Sequence, residues 1–87
     1  MTDVKFIRLC KSTVQDYVNA HLDKTDNKQI GFEDVYIVWF CKTLQNWKAL
    51  VSTTLPDGMY YELTLNSDKN ELYLDCYKKW ENYTFAI

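Results

Sequence analysis

The hydrophobic pattern changes its period once along the chain, and that change constrains the fold more than any other feature. Between residues 3 and 22 apolar side chains recur every three to four positions: Val4, Ile7, Cys10, Val14, then Tyr17 or Val18, then His21 or Leu22. That is the spacing of one helix face. Phe6 and Leu9 widen the stripe, and Lys5, Arg8, Lys11, Ser12, Gln15, Asp16 and Asn19 fill the opposite side. Thr2 or Asp3 can cap the start by accepting a bond from an orphan amide. The polar run 23–28 ends the helix. From Asp34 onward the period is two, the signature of strands.

The alternation and its interruptions predict strands over about 35–43, 47–54, 59–65 and 70–78. Tyr83, Phe85 and Ile87 alternate in the same way and can add a short fifth strand over 83–87. Leu44-Gln45-Asn46 separates the first two strands, with Asn46 suited to a left-handed turn position. Leu55-Pro56-Asp57-Gly58 is the strongest turn, because Pro presets φ and Gly accepts a positive φ. In the last hairpin Tyr61, Leu63 and Leu65 should share a core face with Leu72, Leu74 and Cys76. Leu63 then opposes either Leu72 or Leu74. The second choice sets Glu62 against Asp75, a like-charge pair costing a few tenths to ~1 kcal/mol. The first is expected.

A single helix has one apolar stripe and covers one sheet face. The expected fold is α+β, one domain over 1–87: an N-terminal amphipathic helix on one face of a four- to five-stranded antiparallel meander. The other face should carry Tyr60, Glu62, Thr64, Glu71, Tyr73, Asp75 and Tyr77. From the first strand it takes either Tyr36, Val38 and Phe40 or Val35, Ile37 and Trp39. If the helix covers Ile37, Trp39 and Cys41, then Val38 and Phe40 meet water beside the tyrosines. Three covers exist for such a patch: a partner, the 83–87 segment folded over it, or a second copy. Five residues span at most ~18 Å, part of a sheet face only. Weak two-fold self-association through this face is therefore expected.

Fourteen aromatic rings, 16% of 87 residues, are more than a small domain easily buries, so some belong at the surface. Net charge is −2, with residues 31–87 holding five Lys against eight Asp/Glu. This balance argues against phosphate binding, which favours a basic excess. Cys10, Cys41 and Cys76 show no paired spacing, so they read as small hydrophobes of a reducing cytoplasm rather than a disulfide framework. Neither a signal-peptide core nor a membrane-length apolar run is present. The Asn82-Tyr83-Thr84 sequon has no meaning without secretion.

The aromatic and acidic face is the one constellation above background. Tyr36, Phe40, Tyr60, Glu62, Tyr73, Asp75 and Tyr77 are its candidate partner-binding residues, since tyrosine is enriched at interface centres. Cross-strand tyrosines also stabilise an exposed sheet without any partner. Lys5, Arg8 and Lys11 form the alternative site, a basic helix side for nucleic acid, although three such charges are ordinarily a solvated face. Glu62, Glu71 and Asp75 would repel phosphates from the tyrosine face itself. His21 with the three cysteines lacks the local pairing of zinc ligands. A Cys–His nucleophile pair would lack an orienting Asp or Asn and an oxyanion turn. Asp34 and the other carboxylates are scattered, and two glycines leave no phosphate-cradling loop. No catalytic, metal or cofactor residue is assigned, and a non-enzymatic role is expected.

The run from Asp34 to Asn82 resembles an uncharacterised family of small proteins encoded by phages and prophages of Gram-positive bacteria. Trp39-Phe40-Cys41-Lys42-Thr43-Leu44-Gln45-Asn46-Trp47-Lys48-Ala49-Leu50 and Asp57-Gly58-Met59-Tyr60-Tyr61-Glu62 carry the likeness, and the preceding helix is similar too. The resemblance implies a bacterial cytoplasm and a host or phage protein as partner. It assigns no site residues.

Overall fold

The computed structural model describes residues 1–22, 29–44 and 46–87. It consists of helix α1 (Asp3–His21), a 3-10 turn (Phe32–Asp34), and strands β1 (Val35–Thr43), β2 (Asn46–Thr53), β3 (Met59–Asn66) and β4 (Glu71–Lys78). The strands form one antiparallel sheet in the order β1-β2-β3-β4, a meander with α1 on one face. The fold is α+β. Residues 83–87 form no strand; four strands, not five, are paired among the described residues.

Thr2 caps α1, its hydroxyl accepting from the Lys5 amide at 3.3 Å. The buried stripe is Phe6, Cys10, Val14 and Val18, one residue per turn. Val4, expected in the stripe, is exposed, because Phe6 rather than Val4 reaches Trp47, with ring centroids 5.2 Å apart. The stripe packs on Trp47, Ala49, Val51, Tyr61, Leu63 and Leu65. Ala49 is the only small side chain in that set, and its size lets the helix lie close over β2. Gln15 and Asn19 do not simply face solvent. Asn19 Oδ1 accepts from the Ile30 amide at 2.8 Å, and Asn19 Nδ2 and Gln15 Nε2 both donate to the Ile30 carbonyl. The side chains thus satisfy a nearly buried backbone residue that no sheet neighbour serves.

Three local expectations are corrected. In β1 the pairing shifts between Ile37 and Trp39, leaving Val38 as an extra residue: Ile37 opposes Val51, while Trp39 opposes Leu50 and Phe40 opposes Ala49. Val35, Ile37 and Phe40 consequently share the helix-facing side, and Tyr36, Trp39 and Cys41 the other. Neither regular set expected from the sequence is realised. A run of six large apolar residues cannot fix its own phase, and a bulge on this edge strand resolves it. In the first hairpin Thr43 opposes Asn46, so Leu44, not Asn46, takes the left-handed conformation at φ 57°. A two-residue loop needs positive φ at its first position, whatever residue stands there.

The last hairpin takes the register with Leu63 opposite Leu74 and Glu62 opposite Asp75. Two features outweigh the like-charge cost. Lys48 Nζ lies 3.2 Å from Glu62 Oε1 and compensates part of that charge. The register also ends the loop on Asn70, at φ 54°, the residue type that best tolerates that conformation after glycine. The alternative register would have put Lys69 at the loop's end.

Candidate functional site

The face turned away from α1 is read off the pairing as rows running across the sheet. One row is Trp39–Leu50–Glu62–Asp75, and the next is Cys41–Lys48–Thr64–Tyr73. A third pairs Thr43, Asn46, Asn66 and Glu71. Tyr60 opposes Tyr77 at the opposite end, and Tyr36 opposes Ser52. Trp39, Tyr36, Tyr73 and Tyr77 are all more than 40% exposed, a level at which ring surface is available to another molecule. Leu50, Tyr60, Glu62 and Thr64 are half-buried beneath their neighbours.

The electrostatics of the face are uneven. Lys48 sits with Glu62, while Asp75 and Glu71 occupy the β4 edge. The Tyr73 hydroxyl donates to the Glu71 carboxylate, and this hydrogen bond holds the Tyr73 phenol above its ordinary pKa. The pair sets the Tyr73 hydroxyl beside a negative charge.

Of the candidate partner-binding residues, Tyr36, Tyr60, Glu62, Tyr73, Asp75 and Tyr77 lie together on this face. Phe40 does not, because the bulge turns it to the helix side opposite Ala49. Trp39 takes its place, and Leu50 and Lys48 complete the surface. Tyr36 and Trp39 stood in opposite alternatives for the first strand, because strict alternation carries no sign of an extra residue. Lys48 and Leu50 follow from the regular alternation of β2, which the sequence expectation did not extend to this face. Residues 79–87 do not cover the face either: Trp80, Tyr83 and Phe85 are 91%, 71% and 80% exposed.

The alternative basic site is partly committed elsewhere. Lys5 and Arg8 are exposed on α1, but Lys11 Nζ lies over the Phe32 ring at 4.2 Å. The thiols divide three ways. Cys10 is fully buried and its pKa is pushed up to about 12 by burial, which suppresses thiolate. Cys41 is exposed on the sheet face away from α1. Cys76, expected in the core, is exposed, because α1 lies over β1 and β2 and leaves β4 uncovered. Interaction with the Cys76 side chain raises the Tyr17 phenol's pKa. His21 stacks on the same ring with centroids 4.1 Å apart and has Nδ1 2.7 Å from the Tyr17 carbonyl oxygen. Among the described residues no three His, Cys, Asp or Glu side chains gather to hold a metal ion, and no helix is long and apolar enough to cross a membrane.

Over residues 7–87 the sequence matches the model of a family described as a family of unknown function (DUF6275). No curated protein and no solved structure matches the chain.

Proposed function

The chain belongs to the family of unknown function DUF6275, and we propose that it acts as a non-enzymatic protein-interaction module whose binding surface is the sheet face opposite α1. One observation carries this reading: Trp39, Tyr36, Tyr73 and Tyr77 stay open to water on a face that also holds Glu62, Glu71 and Asp75. Rings and carboxylates in alternation favour a partner presenting arginine or lysine, which gains from ring faces and acids together. The likeness of Asp34–Asn82 to small phage and prophage proteins supports a host or phage protein as that partner, met in a bacterial cytoplasm.

The test is affinity capture from the native host, comparing the wild-type chain with Trp39→Ala and Tyr73→Ala. Truncating an aromatic at an interface centre costs ~2 kcal/mol or more, close to a 30-fold loss of affinity. The same partner should fall away from both variants while their circular dichroism is unchanged. Equal recovery by all three chains refutes the assignment of this face. The competing reading, nucleic acid on Lys5, Arg8 and Lys11, requires retention of single- or double-stranded nucleic acid that weakens steeply between ~50 and 200 mM salt. Lys5→Ala with Arg8→Ala separates the two, since it leaves the sheet face untouched.

A further inference from the structure

Residues 79–87 combine a strand pattern with the absence of a strand. Tyr83, Phe85 and Ile87 alternate with Thr84 and Ala86, yet every residue of the segment is exposed. Lys79 still extends the β3–β4 ladder, donating its amide to the Gly58 carbonyl at 2.8 Å, and beyond it the chain leaves the sheet. An arm projects.

Beside it, β4 is an edge strand with no strand on its outer side among the described residues. Its pairing with β3 is regular from Glu71 to Lys78, without the bulge that blunts β1 at the other edge. Because the Lys79 amide points inward to Gly58, the main-chain groups of the even-numbered residues Leu72, Leu74, Cys76 and Lys78 point outward and lack a strand.

We propose that residues 79–87 form an exchange arm that completes its strand on a second copy of the chain, β4 and arm of each copy pairing antiparallel across a two-fold axis at Trp80. The phase supports this pairing. Positions 83, 85 and 87 differ from 73 and 77 by even numbers, so an extended continuation of β4 brings the apolar side of the arm onto the Tyr73 and Tyr77 face. The axis at Trp80 sets Tyr77 against Tyr83, Tyr73 against Ile87, Leu74 against Ala86, and Lys79 against Glu81. No like charges oppose each other. The outward even-numbered groups of β4 meet the even-numbered groups of the arm, as an antiparallel ladder requires.

The area is sufficient. Aromatic side chains bury ~150–250 Å² each when covered, so half-burying Trp80, Tyr83 and Phe85 on two arms removes roughly 450–750 Å². The surface they cover contributes about as much again, which brings the total to roughly 900–1,500 Å², near the lower bound of specific interfaces. A reversible dimer is the expected result. The proposal shares Tyr73 and Tyr77 on β4 with the partner-binding face but not Trp39, which lies on β1 at the opposite edge of the sheet, so Trp39 separates the two.

Sedimentation of the full chain across a concentration series tests it, together with amide exchange. The expected result is a monomer–dimer equilibrium in which the Thr84 and Ala86 amides slow at least about tenfold as dimer forms. A chain ending at Asn82 stays monomeric with an unchanged circular dichroism spectrum, since the removed residues hold nothing in place. Lys79→Glu weakens the dimer about tenfold by opposing Glu81, and adding Glu81→Lys restores it. Trp39→Ala leaves the equilibrium unchanged. A full chain that is monomeric throughout, a truncated chain that dimerises equally, or a charge swap that fails to restore the dimer each overturns the proposal.

Discussion

Asn19→Ala should be among the most damaging exposed-side substitutions in α1. Asn19 serves Ile30 twice, accepting from its amide and donating to its carbonyl, while Gln15 donates to the same carbonyl. Removing the Asn19 amide group leaves the carbonyl with Gln15 but strands the Ile30 N–H. An orphaned buried donor costs about 1–3 kcal/mol, and the second lost bond adds about 0.5–1 kcal/mol. The higher helix propensity of Ala returns up to about 0.7 kcal/mol. Taking the middle of each range, the net loss is about 1.5–2.5 kcal/mol. With an unfolding entropy near 2.1 cal/mol/K per residue, this corresponds to a fall in Tm of roughly 8–14 °C for 87 residues. Gln15→Ala removes one of two donors to an acceptor that stays satisfied and should cost no more than about 0.5 kcal/mol. The double variant, leaving both Ile30 groups unpaired, should lose more than the sum. Thermal and urea unfolding measure all three, and exchange of the Ile30 amide reports the bond directly. A loss below about 0.5 kcal/mol for Asn19→Ala, or parity with Gln15→Ala, would show that water serves Ile30 and that the clamp is not structural.

Asp75→Lys should raise stability by about 0.5–1 kcal/mol, because it turns a directly opposed like-charge pair with Glu62 into an attractive one, and it should weaken partner capture; an unchanged midpoint would mean that Asp75 does not oppose Glu62. Leu44→Asn should stabilise by about 0.5–1 kcal/mol by easing a left-handed backbone at an exposed turn, read by urea midpoint, and a destabilised variant would refute the strain. Alkaline titration should destabilise the fold. Burial pushes Cys10, and burial with Asp57 as the next cause pushes Tyr61, up to about 12, so the native state holds protons that the unfolded chain releases from about pH 9. Their contribution is intact below pH 9 and is lost as pH climbs toward 12; a midpoint flat over that window contradicts the burial of both groups. In native protein a thiol reagent should modify Cys41 and Cys76 and spare Cys10.

The period change at Asp34 made the α+β class legible, because one stripe and four alternating segments leave few ways to bury apolar surface. Tyr73, Tyr77, Glu62 and Asp75 were placed on one face by alternation alone. What alternation could not reveal were events that consume a residue without a local signal. Val38 has no glycine to announce a bulge, and the apolar run from Val35 to Phe40 reads equally well in either phase. Leu44 in a left-handed turn ran against propensity, which favours Asn46, two residues from the true position. The β3–β4 register turned on Lys48, a residue of a third strand whose charge no two-strand comparison includes. Cys76 alternated with the core but lies at the margin of a helix that packs mainly on β1 and β2, where it meets the Tyr17 side chain and stays exposed. The pattern at 83–87 left a fifth strand open, and the described chain offers it no neighbour.

Val38 has one more consequence, and it concerns length rather than chemistry. A bulge residue is a spare letter: removing Val38 would leave Ile37 facing α1, Trp39 facing away and Phe40 facing α1, with every cross-strand pairing to β2 intact. Losing or gaining one residue between Phe40 and Lys42, by contrast, would act on the strand as a frameshift acts on a gene, turning Trp39 off the outer surface and bringing Phe40 onto it. Relatives of this chain can therefore differ by a single residue at this point and still present the same aromatics. The cost of the shorter version lies at the edge, where a straightened β1 would offer an unbroken row of amides and carbonyls to any passing strand.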